Sequence, residues 1–94
     1  MTFYTVSHWE ANSWDKDDEI KAKEKYVPLI MSLGAISIKM IRTDEFKFMV
    51  ITEWPNAEKG KEAAMKIAEI REQAAEEFEN TMVSSHAGEV FASN

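Results

Sequence analysis

Residues 35–56, AISIKMIRTDEFKFMVITEWPN, decide how this chain folds. Two runs of β-branched, aromatic and long apolar residues flank the polar tip Thr43-Asp44-Glu45, and the second run stops at Pro55-Asn56. Proline brings no N–H to a sheet ladder, and asparagine is a good N-cap. The pattern therefore predicts a β-hairpin, with strands over 35–43 and 46–54, that delivers the chain into a helix. Side chains alternate along a strand, so Phe48, Val50 and Trp54 point one way while Met49 and Ile51 point the other. Both rows are apolar. A sheet coated by its own helices on one side is ordinarily polar on the other, so this one is expected to need a second cover.

Toward the N-terminus, residues 3–10 alternate Phe3, Thr5, Ser7, Trp9 against Tyr4, Val6, His8, Glu10, which predicts a first strand. A loop rich in Asn, Ser and Asp follows. Asp17, Asp18 and Glu19 then stand where they complement the positive end of a helix dipole, and a helix is predicted over 17–33. Ile20, Val27, Ile30 and Met31 fall on one of its faces. Pro28 interrupts it and predicts a kink near residues 24–28, and Gly34 suits the left-handed position that ends a helix. Beyond the hairpin, Asn56 starts a second helix over 57–79, in which Ala63 or Ala64, Ile67, Ile70, Ala74 and Phe78 recur at helical spacing. A stripe this rich in alanine lets the helix lie close on its neighbour. Residues 81–91 predict a fourth strand that Gly88 weakens or bulges.

The order is β-α-β-β-α-β. With right-handed crossovers it predicts an α+β, ferredoxin-like domain over 1–94, with a four-stranded antiparallel sheet and both helices on one face. The bare face would forfeit several kcal/mol at roughly 25 cal/mol per Å² of apolar area. A second copy packed sheet to sheet under two-fold symmetry covers it, which predicts a homodimeric α/β barrel.

The element order, KEKYVPLIMSLGA ahead of the hairpin and FMVITEWPNAEKGKEA running from strand three into helix two together resemble the dimeric α/β-barrel superfamily. Within it, the antibiotic-biosynthesis-monooxygenase-like (ABM-like) proteins are the nearest in style. The resemblance spans nearly the whole chain and implies the fold and the dimer. It also implies a range of activities: cofactor-free oxygenases of aromatic compounds, haem-degrading enzymes, lactone isomerases and small proteins with none assigned. Haem-degrading members place a tryptophan near the end of strand three, an asparagine on strand one and a histidine iron ligand on helix two. Trp54 matches the first, strand one offers His8 instead, and helix two has no histidine. No tightly bound cofactor is expected.

Composition narrows the partners. The chain has 94 residues, no cysteine and a net charge of −6. Thiol nucleophiles, disulfides and cysteine-held metals are excluded. Phosphate backbones and anionic membrane surfaces are repelled, so neither nucleic acid nor membrane is expected as a partner. The start MTFYTVSHWE lacks a basic segment followed by a long apolar one, which leaves a cytoplasmic location as the expectation. No glycine-rich phosphate loop is present, nor a Ser–His–Asp order with any supporting signature, so nucleotide chemistry and hydrolysis by such a triad are not expected.

The candidate site residues are few. His8 and His86 are the only histidines, and the topology places them on neighbouring strands. Imidazole titrates near neutral pH, so with Glu10, Glu53 or Glu89 nearby the pair either transfers protons or holds a metal; the plainer alternative is that each satisfies a hydrogen bond at a sheet edge. Tyr4, Trp9, Trp14, Tyr26 and Trp54 either line a cavity for a flat ligand or fill the core, with Tyr4 and Trp54 as the ligand-binding candidates. Arg42, on the face opposite Lys39, either stabilises a developing enolate or phenolate beside the cavity or discourages pairing at an edge. The acidic group Asp15, Asp17, Asp18, Glu19 lacks the spacing and glycine of a calcium loop and reads as helix-end complementarity, so no metal site is expected. Three readings remain open. One is a small enzyme, monooxygenase-like or isomerase-like, acting on an aromatic or unsaturated compound in a pocket between helices and sheet, with His8 or His86 as acid or base. The second is a binding or regulatory dimer that uses the same pocket, and the third is a purely structural dimer.

Overall fold

Residues 2–94 are described by a computed structural model. The hairpin forms as β2 (Ser37–Asp44) and β3 (Lys47–Trp54), and β1 (Phe3–Ala11) and β4 (Asn80–Glu89) complete an antiparallel sheet in the order β2-β3-β1-β4. This arrangement is compatible with a ferredoxin-like fold. Strand β3 stops at Trp54, next to Pro55, and Asn56 caps the helix that follows by accepting from the Lys59 N–H at 2.9 Å.

The first helix starts where Asp15 accepts from the Asp18 N–H at 2.9 Å. It runs through α1 (Lys16–Lys21), a π-helical turn (Ala22–Tyr26) and α2 (Val27–Met31). The expected irregularity at Pro28 takes the form of this wide turn, just before the proline, in which the Val27 N–H reaches the Ala22 carbonyl. Pro28 supplies no N–H and crowds the carbonyl four residues back, which loosens the ordinary ladder at that point. Gly34, at φ 102°, turns the chain out of the helix in a conformation that side-chain-bearing residues rarely adopt. The second helix, α3 (Ala57–Phe78), ends at Glu79 in the left-handed region.

Register settles the two faces of the sheet. Phe3 pairs with Trp54, Thr5 with Thr52, Ser7 with Val50 and Trp9 with Phe48, and this row lies under the helices. One core cluster joins Phe3, Trp54 and Ala63, and another joins Tyr26, Ile30 and Ile70. Helix α3 comes so close at Gly60 that a Cβ there would lie 2.5 Å from the Phe3 ring. The other row, with Tyr4, Val6, His8, Ile41, Met49 and Ile51, carries no helix.

Two local expectations change. The bulge in β4 falls between the pairs His8–Ser84 and Trp9–Met82, which leaves Val83 as the extra residue. Gly88 sits in regular register opposite Tyr4. The strand also ends at Glu89, and Phe91 lies beyond it at 96% exposure. Among the described residues, no helix is long and apolar enough to cross a membrane.

Candidate functional site

Between the helices and the covered sheet face lies a cavity of about 580 Å³. Strands β1 and β3 bring Thr5, Ser7, Trp9, Phe48, Val50 and Thr52 to its floor, and the helices supply Tyr26, Ile30, Ile67, Ile70, Ala74 and Phe78. Its size falls in the range of pockets that enclose small organic molecules.

One wall is aromatic. Trp9 stacks on Phe48 with ring centroids 5.9 Å apart and planes 7° apart, and Trp14 meets Phe48 edge-on at 5.7 Å. Arg42 lays its guanidinium over Trp14 at 4.3 Å and donates from Nη2 to the Glu45 carbonyl at 2.6 Å. The loop after β1 is thereby tied to the hairpin tip through a cation–π contact. Trp14 also donates from Nε1 to Glu19 at 2.7 Å, which anchors the start of α1 at the rim.

Several polar groups that line the cavity are already engaged. Ser7 accepts from Trp9 Nε1 at 2.8 Å, and Tyr26 donates its hydroxyl to Glu77, which also pairs with Lys25 at 2.8 Å and Lys21 at 3.3 Å. Burial and the Glu77 carboxylate push the Tyr26 phenol well above its ordinary value. Hydrogen bonds from Lys25 and Tyr26 draw Glu77 down to about 2. Tyr26 is accordingly a fixed donor rather than a base. Among the described residues, every fully buried side-chain nitrogen or oxygen has a partner.

Arg71 differs from these groups. It lines the cavity from α3, half-buried, and among the described residues its one side-chain hydrogen bond is from Nη1 to Ser85 Oγ at 3.2 Å. No carboxylate among the described residues pairs with it. Burial lowers its pKa, yet a guanidinium stays charged at any ordinary pH.

The candidates named from the sequence divide between the two faces. Arg42 lines the cavity, as do Trp9, Trp14 and Tyr26. Trp54 is 0% exposed at the closed end of the core, where it donates from Nε1 to Thr5 at 3.2 Å, and it does not line the cavity. Tyr4, His8 and His86 stand on the uncovered face, away from the cavity. The imidazoles do approach each other there, with centroids 6.5 Å apart in an edge contact. Tyr4 sits beside Glu53, and partial burial with that carboxylate raises its phenol. Among the described residues, no three His, Asp or Glu side chains converge to hold a metal. Asp15 is occupied as the α1 cap and Glu19 by Trp14.

Arg71 is the cavity-lining cation that reading the sequence passes over. Its signal is there: Ile67, Arg71, Ala74 and Phe78 follow at helical spacing, so a single cation stands on the apolar stripe of α3. No protein-family model matches the chain, and no curated protein matches it.

Proposed function

We propose that this protein is a homodimeric small-molecule-binding protein whose protomers each hold a flat, largely apolar ligand between helices and sheet. The observation that carries the reading is the 580 Å³ cavity, walled on one side by Trp9, Phe48 and Trp14. A ring slid against such a wall gains stacking and apolar burial together. The π-helical turn that forms part of the opposite wall supports the reading, because such turns concentrate at functional sites.

The dimer rests on the uncovered face. Val6 pairs with Ile51, and Ile41 with Met49, forming an apolar centre bordered by Lys39, Lys47, Glu10 and Glu53. A second copy laid on this face would bury the centre and leave the charges at its edge, as in the dimeric α/β barrels that the sequence resembles.

Binding is favoured over catalysis by the chemistry of the cavity lining. The enzymatic reading, monooxygenase-like or isomerase-like, needs a proton-transfer group within reach of the ligand. His8 and His86 lie across the sheet from the cavity. Of the titratable groups that line it, Tyr26 is a phenol held in its protonated form, Glu19 accepts from Trp14, Asp18 is partly exposed and Lys23 is solvent-exposed.

Two measurements test the reading. Titration with 2-naphthamide should quench tryptophan fluorescence, since Trp9 and Trp14 both line the cavity, and an Ala74→Leu variant should abolish the quench without unfolding the protein. Sedimentation equilibrium should give a dimer that Ile51→Glu converts to a folded monomer. A wild-type protein that stays monomeric at micromolar concentration removes the dimer, and saturable binding undiminished by Ala74→Leu removes the cavity.

A further inference from the structure

Arg71 is a charge without a counter-charge beside an apolar cavity. A guanidinium carries five N–H donors in a planar fork, and the protein takes up one of them, through Ser85. A half-buried cation has lost part of its hydration, and a ligand that brings one negative charge of matching geometry offsets that loss. Of the other cations in the lining, Arg42 covers Trp14 and donates to the Glu45 carbonyl, and Lys23 is solvent-exposed, where water screens it. Asp18, partly exposed, and Glu19, exposed, belong to the same lining and repel any anion, a dianion about twice as strongly as a monoanion. The chain also lacks the glycine-rich loop that cradles a phosphate.

We infer that the cavity is specific for an aromatic or unsaturated monocarboxylate, whose flat apolar part lies against the Trp9–Phe48–Trp14 wall and whose carboxylate is received by Arg71. The inference rests on the ligand-binding reading above and names the ligand class for the same site. The division of labour is physical: the wall supplies affinity that any flat ring can use, and Arg71 supplies the discrimination between an acid and its neutral isostere.

The test compares 2-naphthoate with 2-naphthamide, which share a ring and differ in charge, by tryptophan quenching on wild type, Arg71→Met and Arg71→Lys. Wild type should prefer the acid by about tenfold or more, the size expected of a charge-assisted hydrogen-bonded pair. Arg71→Met should reduce that preference to about twofold or less, on the same charge-assisted-bond scale, while leaving amide affinity in place. Arg71→Lys, a point charge without the fork, should fall between them. Should Arg71→Met fail to fold by circular dichroism, Arg71→Lys and the salt dependence of naphthoate binding carry the test: the acid preference must shrink in both. Equal binding of acid and amide by wild type overturns the inference and leaves the cavity reading standing. If neither probe binds, both fall.

Discussion

At one end of the β1–β3 pair Phe3 faces Trp54 across the ladder, and at the other Trp9 faces Phe48. Both are large aromatic pairs on the same side of the same two strands. At the first end Gly60 and Ala63 let α3 descend onto the sheet, and Trp54 is sealed. At the second, the larger Ile70, Arg71 and Phe78 and the wide turn at Ala22–Tyr26 line the gap between the layers, so Trp9 and Phe48 border the cavity. The difference shows that the size of the helix side chains, more than the aromatic residues themselves, determines where this layer is closed core and where it leaves a cavity.

Truncation should expose the contrast most strongly. Trp54→Ala is expected to cost about 3–5 kcal/mol in urea unfolding, as for other buried aromatics. Phe48→Ala, which widens an existing cavity, should cost less than half as much. Equal losses would mean that the open end is packed as tightly as the closed one.

Enlarging side chains should produce the opposite asymmetry. Gly60→Ala drives a methyl group into the Phe3 ring and should destabilise by about 1–3 kcal/mol, beyond the roughly 1 kcal/mol that alanine returns in helix propensity. Ala74→Leu grows into the cavity and should change the denaturation midpoint little. A Gly60→Ala protein that is more stable than wild type would show that the close approach can relax at no cost.

The helix caps sharpen the comparison on a smaller scale. Removing the Asn56 cap at the closed end should cost about 1 kcal/mol of global stability. Asp15→Ala at the open end should show mainly as weaker probe binding, because it frees the rim that Trp14 and Glu19 hold. If Asp15→Ala lowers stability as much as Asn56→Ala and leaves binding unchanged, the rim is part of the core.

The last contrast is set by pH. Glu77 is held at about 2, below the ordinary glutamate value of roughly 4.3. Its contribution is therefore complete above the ordinary value and is lost as pH falls toward 2. Glu77→Gln should flatten that part of the stability–pH curve. A curve of unchanged shape between pH 5 and 2 would show that the bonds to Lys25 and Tyr26 persist when the carboxylate is protonated.

Much of the fold is legible locally. The hairpin, the stop at Pro55, the Asn56 cap and the turn at Gly34 each depend on a backbone property of one or two residues. The alternation in residues 3–10 and 46–54 also separates the two rows correctly. It cannot say which row the helices cover, because both rows of the second strand are apolar. Tyr4 and His8 accordingly share a face that the cavity does not touch, while Trp9, one step along, lines it. Arg71 is hidden for a related reason, since a charge on an amphipathic helix ordinarily faces water.

What the sequence determines by itself is the order of elements, their ends and their alternation, since each follows from dihedral preference, missing or added hydrogen-bond partners and the two-residue period of a strand. What only the tertiary structure decides is depth: which apolar row is roofed, how near α3 comes at Gly60 and how far it stands off at Arg71. Those distances depend on side chains far apart in the chain meeting across a layer, and no local pattern of residues records them.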